Sequence, residues 1–101
     1  MPVKQLFDLS GRTAIITGGS RGLGLQIAEA LGEMGAKLAI SARKTDELEQ
    51  ARSALASQHV EALPVSCDVS QAAQVTSMVD KVLAHYGRID ILVNNAGATW
   101  G

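Results

Sequence analysis

Residues 13–24 read Thr13-Ala14-Ile15-Ile16-Thr17-Gly18-Gly19-Ser20-Arg21-Gly22-Leu23-Gly24, and this stretch decides the fold. Its first five residues are apolar or β-branched and end at a glycine pair; too short for a helix, they read as a buried strand. Past the glycines the period changes. Leu23, Ile27, Ala28, Leu31 and Met34 recur at helical spacing, and Gly35 follows where a helix ends on a left-handed residue. Working outward, Lys37–Ser41 reads as a second strand. Thr45 then stands as N-cap of a helix with Asp46 and Glu47 in its first turn and a thin stripe of Leu48, Ala51 and Leu55. Val60–Cys67, interrupted by Pro64, is a third strand, and Ser70 caps a helix carrying Val75, Met78, Val79, Val82, Leu83 and Tyr86 on one face until Gly87. Ile89–Val93 is a fourth strand. The order β-α-β-α-β-α-β with short connections demands right-handed crossovers and a parallel sheet with helices on both faces, the doubly wound α/β plan in one domain.

Composition narrows the function classes. Among 101 residues, 9 Lys and Arg face 10 Asp and Glu, giving a net charge of -1 with no like-charge run, so neither a nucleic acid nor a membrane is an expected partner. Aromatics are one each of Phe7, Tyr86 and Trp100, which leaves almost nothing to stack bases or sugars. The single Cys67 cannot close an internal disulfide, and the start of the chain lacks a continuous apolar leader, so the expected location is cytoplasmic. In a doubly wound sheet the first strand is central and the fourth lies beside it, on the side away from the second and third. Ile91, Leu92 and Val93 would then form an uncovered apolar edge. The expectation is that residues 1–101 are the N-terminal part of a longer single domain.

The glycines are spaced G-x-x-x-G-x-G, at Gly18, Gly22 and Gly24. No Gly-Lys-Ser/Thr follows, which excludes a P-loop, and the spacing differs from G-x-G-x-x-G. Glycines between a strand and a helix start permit a sharp turn, a close backbone approach to an anion and tight helix packing, while first-turn N–H groups face the ligand. A diphosphate suits all of these; a tight turn without a ligand is the alternative. At the end of the second strand stands Ser41-Ala42-Arg43-Lys44, with no acid to bind ribose hydroxyls. Arg43, supported by Arg21, is placed to take a 2′-phosphate, since guanidinium forks match phosphate oxygens.

Three segments in this order resemble the short-chain dehydrogenase/reductase family: TGGSRGLG at 17–24, CDV at 67–69 and ILVNNAG at 91–97. The resemblance implies a Rossmann-type domain that transfers hydride between a nicotinamide dinucleotide and a small-molecule alcohol or carbonyl, in an enzyme that assembles as a dimer or tetramer. By position it implies that Gly18, Ser20, Arg21, Gly22, Leu23 and Gly24 hold the pyrophosphate and ribose side of the cofactor. It implies further that Asp68 accepts a hydrogen bond from the adenine amino group beside Val69, and that Asn95, Ala96 and Gly97 line the nicotinamide-side ribose while Asn94 braces the strands. With Arg43 and no acid, NADP(H) is favoured over NAD(H).

Catalytic residues of the family are not among these 101. Tyr86 is followed by Gly87-Arg88-Ile89-Asp90, so no Tyr-x-x-x-Lys is formed, and Tyr86 belongs to an apolar stripe. His59, His85 and Cys67 have no second ligand or nucleophile at useful spacing, so no metal is expected. The chain by itself is therefore expected to be inactive and poorly soluble or associated. The reading is an NADP(H)-dependent reductase of 3-oxoacyl or similar substrates, represented by its cofactor-binding half; the competing reading is a free-standing, non-catalytic dinucleotide module. The apolar fourth strand favours the first.

Overall fold

A five-residue strand that is buried throughout needs neighbours on both edges and layers on both faces. The first strand, β1 (Thr13–Thr17), is such a strand. In the computed structural model, which describes residues 8–95, β1 pairs in parallel with β2 (Lys37–Ala42) on one side and β4 (Ile91–Asn94) on the other. The third strand, β3 (Ala62–Ser66), pairs with β2, so the order is β3-β2-β1-β4 and every described pairing is parallel. Ile15 lies opposite Ala39 and Leu92, and Ile16 opposite Ile40 and Val93.

Alternation along these strands divides the core in two. Ala14, Ile16, Leu38 and Ile40 face helices α1 (Gly22–Glu33) and α2 (Thr45–Ser57), where Ala28, Leu48, Ala51 and Leu55 meet them. Ile15, Ala39, Val65 and Cys67 face α3 (Ala72–Tyr86), which contributes Met78 and Val82. This is the doubly wound, Rossmann-type sheet that the sequence predicts. The thin stripe of α2 is buried completely, whereas Leu83 of α3 is exposed, because among the described residues α3 is alone on its face. Leu23 is exposed as well, in the first turn of α1.

Helix exits explain where the strands begin. Gly35 adopts φ 99° and gives its N–H to the Gly32 carbonyl at 3.0 Å, while Ala36 N–H reaches the Leu31 carbonyl at 3.1 Å. The end of α2 repeats this pattern with a histidine: His59 has φ 64°, its N–H donates to the Ala56 carbonyl at 2.9 Å, and Val60 N–H donates to the Leu55 carbonyl at 2.9 Å. Both are Schellman closures. Val60 is thus the apolar residue that seals α2 against Leu55, which corrects the expected strand start at Val60 to Ala62. Helix entries also differ from expectation. Lys44 and Gln71, not Thr45 and Ser70, occupy the N-cap positions, and neither makes a side-chain cap bond.

Asp90, which the sequence reading absorbed into the fourth strand, precedes it and ties the sheet together at the end where the strands start. Its carboxylate accepts hydrogen bonds from Thr13 N–H at 2.8 Å, Arg88 Nε at 2.8 Å and Arg88 Nη2 at 2.6 Å, with Arg12 Nη1 at 3.4 Å. Its own N–H donates to the Thr13 carbonyl at 2.9 Å. The Arg88 guanidinium, then the Thr13 amide, holds the carboxyl down to about 2.

The two edges of the sheet differ. On β3, Glu61 accepts from Leu38 N–H and Cys67 N–H donates to the Ala42 carbonyl. Peptide groups alternate along a strand, so the odd-numbered residues serve β2 and Pro64 faces outward, where its missing N–H leaves the ladder whole. On β4, Ile91 and Val93 pack against the α1–α2 core while Leu92, on the other face, is 64% exposed.

Candidate functional site

A cleft of about 520 Å³ lies where β1, β2 and β3 end. It is lined by Gly18, Ser20, Arg21, Ser41, Ala42, Arg43, Lys44, Glu47, Cys67, Asp68, Val69 and Ser70. Crevices outside the carboxyl ends of the strands are where open α/β sheets bind ligands.

The glycine loop forms one wall, and its glycines serve different ends. Gly18, at φ 67°, donates its N–H to the Ser41 carbonyl at 2.8 Å, and Gly19 N–H reaches the same oxygen at 3.2 Å. These bonds fold the loop back over β2. A Cβ on Gly24 would lie 2.0 Å from the Gly18 carbonyl oxygen and 2.8 Å from Asn95 Nδ2, so α1 approaches the loop only because no side chain intervenes. At Gly22 nothing lies within 4 Å of such an atom; here φ 59° is the reason for glycine, and open space borders it. α1 then starts from an extended Arg21, φ -163°, with no side-chain cap and no acid in its first turn. Its leading N–H groups receive no side-chain cap, an arrangement that suits an incoming anion.

Of the residues singled out in the sequence, Gly18, Ser20, Arg21, Arg43, Asp68 and Val69 line the cleft together. Gly22, Leu23, Gly24 and Asn95 do not; Ala96 and Gly97 lie outside the described residues. Asp68 is engaged locally: its Oδ1 accepts from Ser70 N–H at 3.0 Å and Ser70 Oγ at 2.7 Å. The Ser70 hydroxyl is the main reason its carboxyl sits below the usual carboxylate range, with Arg43 adding a smaller pull. Ser70, expected to cap α3, is spent on this turn instead. Both bonds fall on Oδ1, so Oδ2 has no hydrogen bond among the described residues.

Asn95 has a bracing geometry that the sequence reading gave to Asn94 alone. Its N–H donates to Thr17 Oγ1 at 2.9 Å and its Nδ2 to the Gly18 carbonyl at 3.3 Å, while Asn94 Oδ1 accepts from Thr17 Oγ1 at 3.2 Å. Both asparagines therefore stitch β4 to the glycine loop. Arg21 also has an unforeseen partner. Its Nη1 lies 3.7 Å from Glu47 Oε1, and Glu47 lines the cleft from the first turn of α2. In the sequence Glu47 signals only a favourable helix dipole; that α2 aims its first turn at the glycine loop is visible in the fold alone.

One further polar group faces this region. Ser41 is 1% exposed, and its Oγ is the one buried side-chain polar atom without a partner among the described residues. Cys67 is buried beside it on β3's end, and burial pushes its thiol up. Tyr86 is remote: its hydroxyl donates to the Leu38 carbonyl at 2.8 Å near the start of β2, and burial raises its pKa, so it is a packing residue with a satisfied tip. Among the described residues no group of His, Cys, Asp or Glu could hold a metal ion, and no helix is long and apolar enough to cross a membrane.

Residues 12–101 match the short chain dehydrogenase family. The chain belongs to that family. This short chain dehydrogenase chain is 44% identical over 97 residues to the short-chain dehydrogenase/reductase VdtF of Byssochlamys spectabilis, covering 96% of this chain and 31% of that protein. It is 39% identical over 95 residues to the rhamnolipids biosynthesis 3-oxoacyl-[acyl-carrier-protein] reductase of Pseudomonas aeruginosa, covering 94% and 37%. A metagenomic short-chain oxidoreductase solved in complex with NADP superposes with a TM-score of 0.86 at 40% identity, over 92% of this chain and 42% of that one. The chain thus spans about a third of the length of the curated relatives it matches.

Proposed function

We propose that these residues form the cofactor-binding part of an NADP(H)-dependent oxidoreductase that interconverts a carbonyl and an alcohol, with 3-oxoacyl compounds as the substrate class. The observation that carries the cofactor reading is the wall of the cleft at the end of β2: Arg43 and Lys44 stand there with no acid between Ser41 and Lys44. A 2′-phosphate on the adenine ribose finds a guanidinium fork where a carboxylate would repel it. The site fits the rest of a dinucleotide as well. The uncapped start of α1 and the open space at Gly22 suit a pyrophosphate, and Asp68 Oδ2 and Val69 suit an adenine edge.

When bound, the nicotinamide supplies the hydride; the residues described here bind and orient the dinucleotide. The acid/base that moves the accompanying proton is proposed to lie in further sequence of a longer protein. Support comes from the relatives, which run to about three times this length, and from the apolar edge at β4. The substrate class rests on the similarity to the 3-oxoacyl reductase, and assembly as a dimer or tetramer rests on the family.

The test is calorimetric titration of the intact protein and its Arg43→Ala variant with NADPH and NADH. A hydrogen bond to a charged group is worth about 1.5–3 kcal/mol, so the variant should bind NADPH about ten- to a hundredfold more weakly and NADH almost unchanged. Equal losses for both cofactors, or a wild type that prefers NADH, would defeat the reading.

A further inference from the structure

The cleft carries one charge that works against a phosphate. Its wall holds three cations, Arg21, Arg43 and Lys44, and two carboxylates, Glu47 and Asp68. Asp68 is turned onto Ser70. Glu47 is not: its carboxylate faces Arg21 at 3.7 Å across the mouth of the cleft, with a side chain only 27% exposed, while that of Arg21 is 81% exposed. At 3.7 Å the carboxylate offsets part of the guanidinium's charge without taking any of its hydrogen-bond donors. Lys44 and Arg43 have no such ion pair among the described residues.

We propose that Glu47 is a specificity-determining residue that holds down the affinity for 2′-phosphorylated dinucleotides by pairing with Arg21, so that cofactor choice is set by Arg43 against Glu47. This rests on the NADP(H) reading given above. The carboxylate weighs on the 2′-phosphate, because adenosine 5′-monophosphate, phosphorylated at the 5′ position only, has none to compete for Arg21. Glu47 is thereby a counterweight that keeps the protein able to release NADP(H) and to admit NAD(H).

The experiment is titration of the intact protein with 2′,5′-ADP and with 5′-AMP, for the wild type and for Glu47→Gln, Arg21→Ala, Arg43→Ala and the Arg21→Ala/Glu47→Gln double variant. Glu47→Gln preserves the shape of the side chain and should tighten 2′,5′-ADP by about three- to fivefold, the scale of a partly exposed ion pair, leaving 5′-AMP within about twofold. In the Arg21→Ala background the gain should shrink below about 1.5-fold, since the two residues act as a pair. A gain that persists there overturns the route through Arg21. A wild type that prefers 2′,5′-ADP but shows no tightening, or a loss, in Glu47→Gln overturns the role of Glu47 alone. A wild type that binds both probes equally, with Arg43→Ala weakened equally for both, overturns the NADP(H) reading and this proposal with it.

Discussion

Where the strands begin, Asp90 gathers four hydrogen bonds from Arg12, Thr13 and Arg88, and each helix exit closes on a left-handed residue, at Gly35, His59 and Gly87. Where they finish, the Ser41 hydroxyl has no partner, α1 starts without a side-chain cap, and the Arg43 and Lys44 side chains make no hydrogen bond or ion pair among the described residues. Both ends consist of turns between the same strands and helices. They differ in how their polar groups are satisfied: at the first end within the chain, while at the second several have no partner among the described residues. Unspent polar groups that a stable fold would ordinarily use internally single out the second end as the candidate ligand site.

The largest break in this comparison is at the ligand end. Gly24→Ala places a methyl 2.0 Å from the Gly18 carbonyl oxygen, a backbone atom that cannot swing aside. The loop and α1 must part, at a cost of about 3 kcal/mol, and dinucleotide binding should vanish from calorimetric titration. Retained binding with an unchanged denaturation midpoint would show that this contact is not what shapes the loop.

At the opposite end, Asp90→Asn should lower the urea midpoint at neutral pH while leaving dinucleotide affinity unchanged. The carboxyl is depressed from 3.8 to about 2 in the folded chain. Its contribution to stability is therefore complete above about pH 4 and is lost as pH falls through 2. Wild-type and variant midpoints, measured from pH 7 down to 2, should converge as the acid limb is reached; a constant gap would mean that the ionised carboxylate is not what joins the strands.

The smallest effect expected is a gain. His59 is the one residue other than glycine with positive φ among the described residues. Its exposed position in a Schellman closure suits glycine better, so His59→Gly should stabilise by about 1 kcal/mol, read as a higher urea midpoint. A lower midpoint would mean that the imidazole makes up for its backbone strain.

Much of this is legible in the sequence. The TAIIT run and the helical recurrence after Gly22 carry their periods in the residues themselves, and strand order follows from chain order in a doubly wound sheet. The Arg43 region could be placed because it directly follows a strand whose end is known. What escaped was lateral. Glu47 reaches Arg21 across 26 residues, Asn95 reaches Gly18 across 77, and Asp90 reaches Thr13 across the same distance in sequence. None of these has a local pattern, since each depends on which loops the sheet brings side by side. His59 was hidden for a different reason: glycine announces a left-handed turn, whereas histidine adopts one only where Val60 has a core to enter.

The outward-facing Pro64 gives the sheet a valence. β3 presents an edge with a missing donor, while β4 presents an uninterrupted one beside the exposed Leu92. A particle with two receptive edges adds copies without limit and grows into a fibre; one with a single receptive edge is capped by its first partner. Whatever pairs with β4, a further segment of the same protein or a second chain, the sheet extends in that direction, and Pro64 holds the β3 side closed.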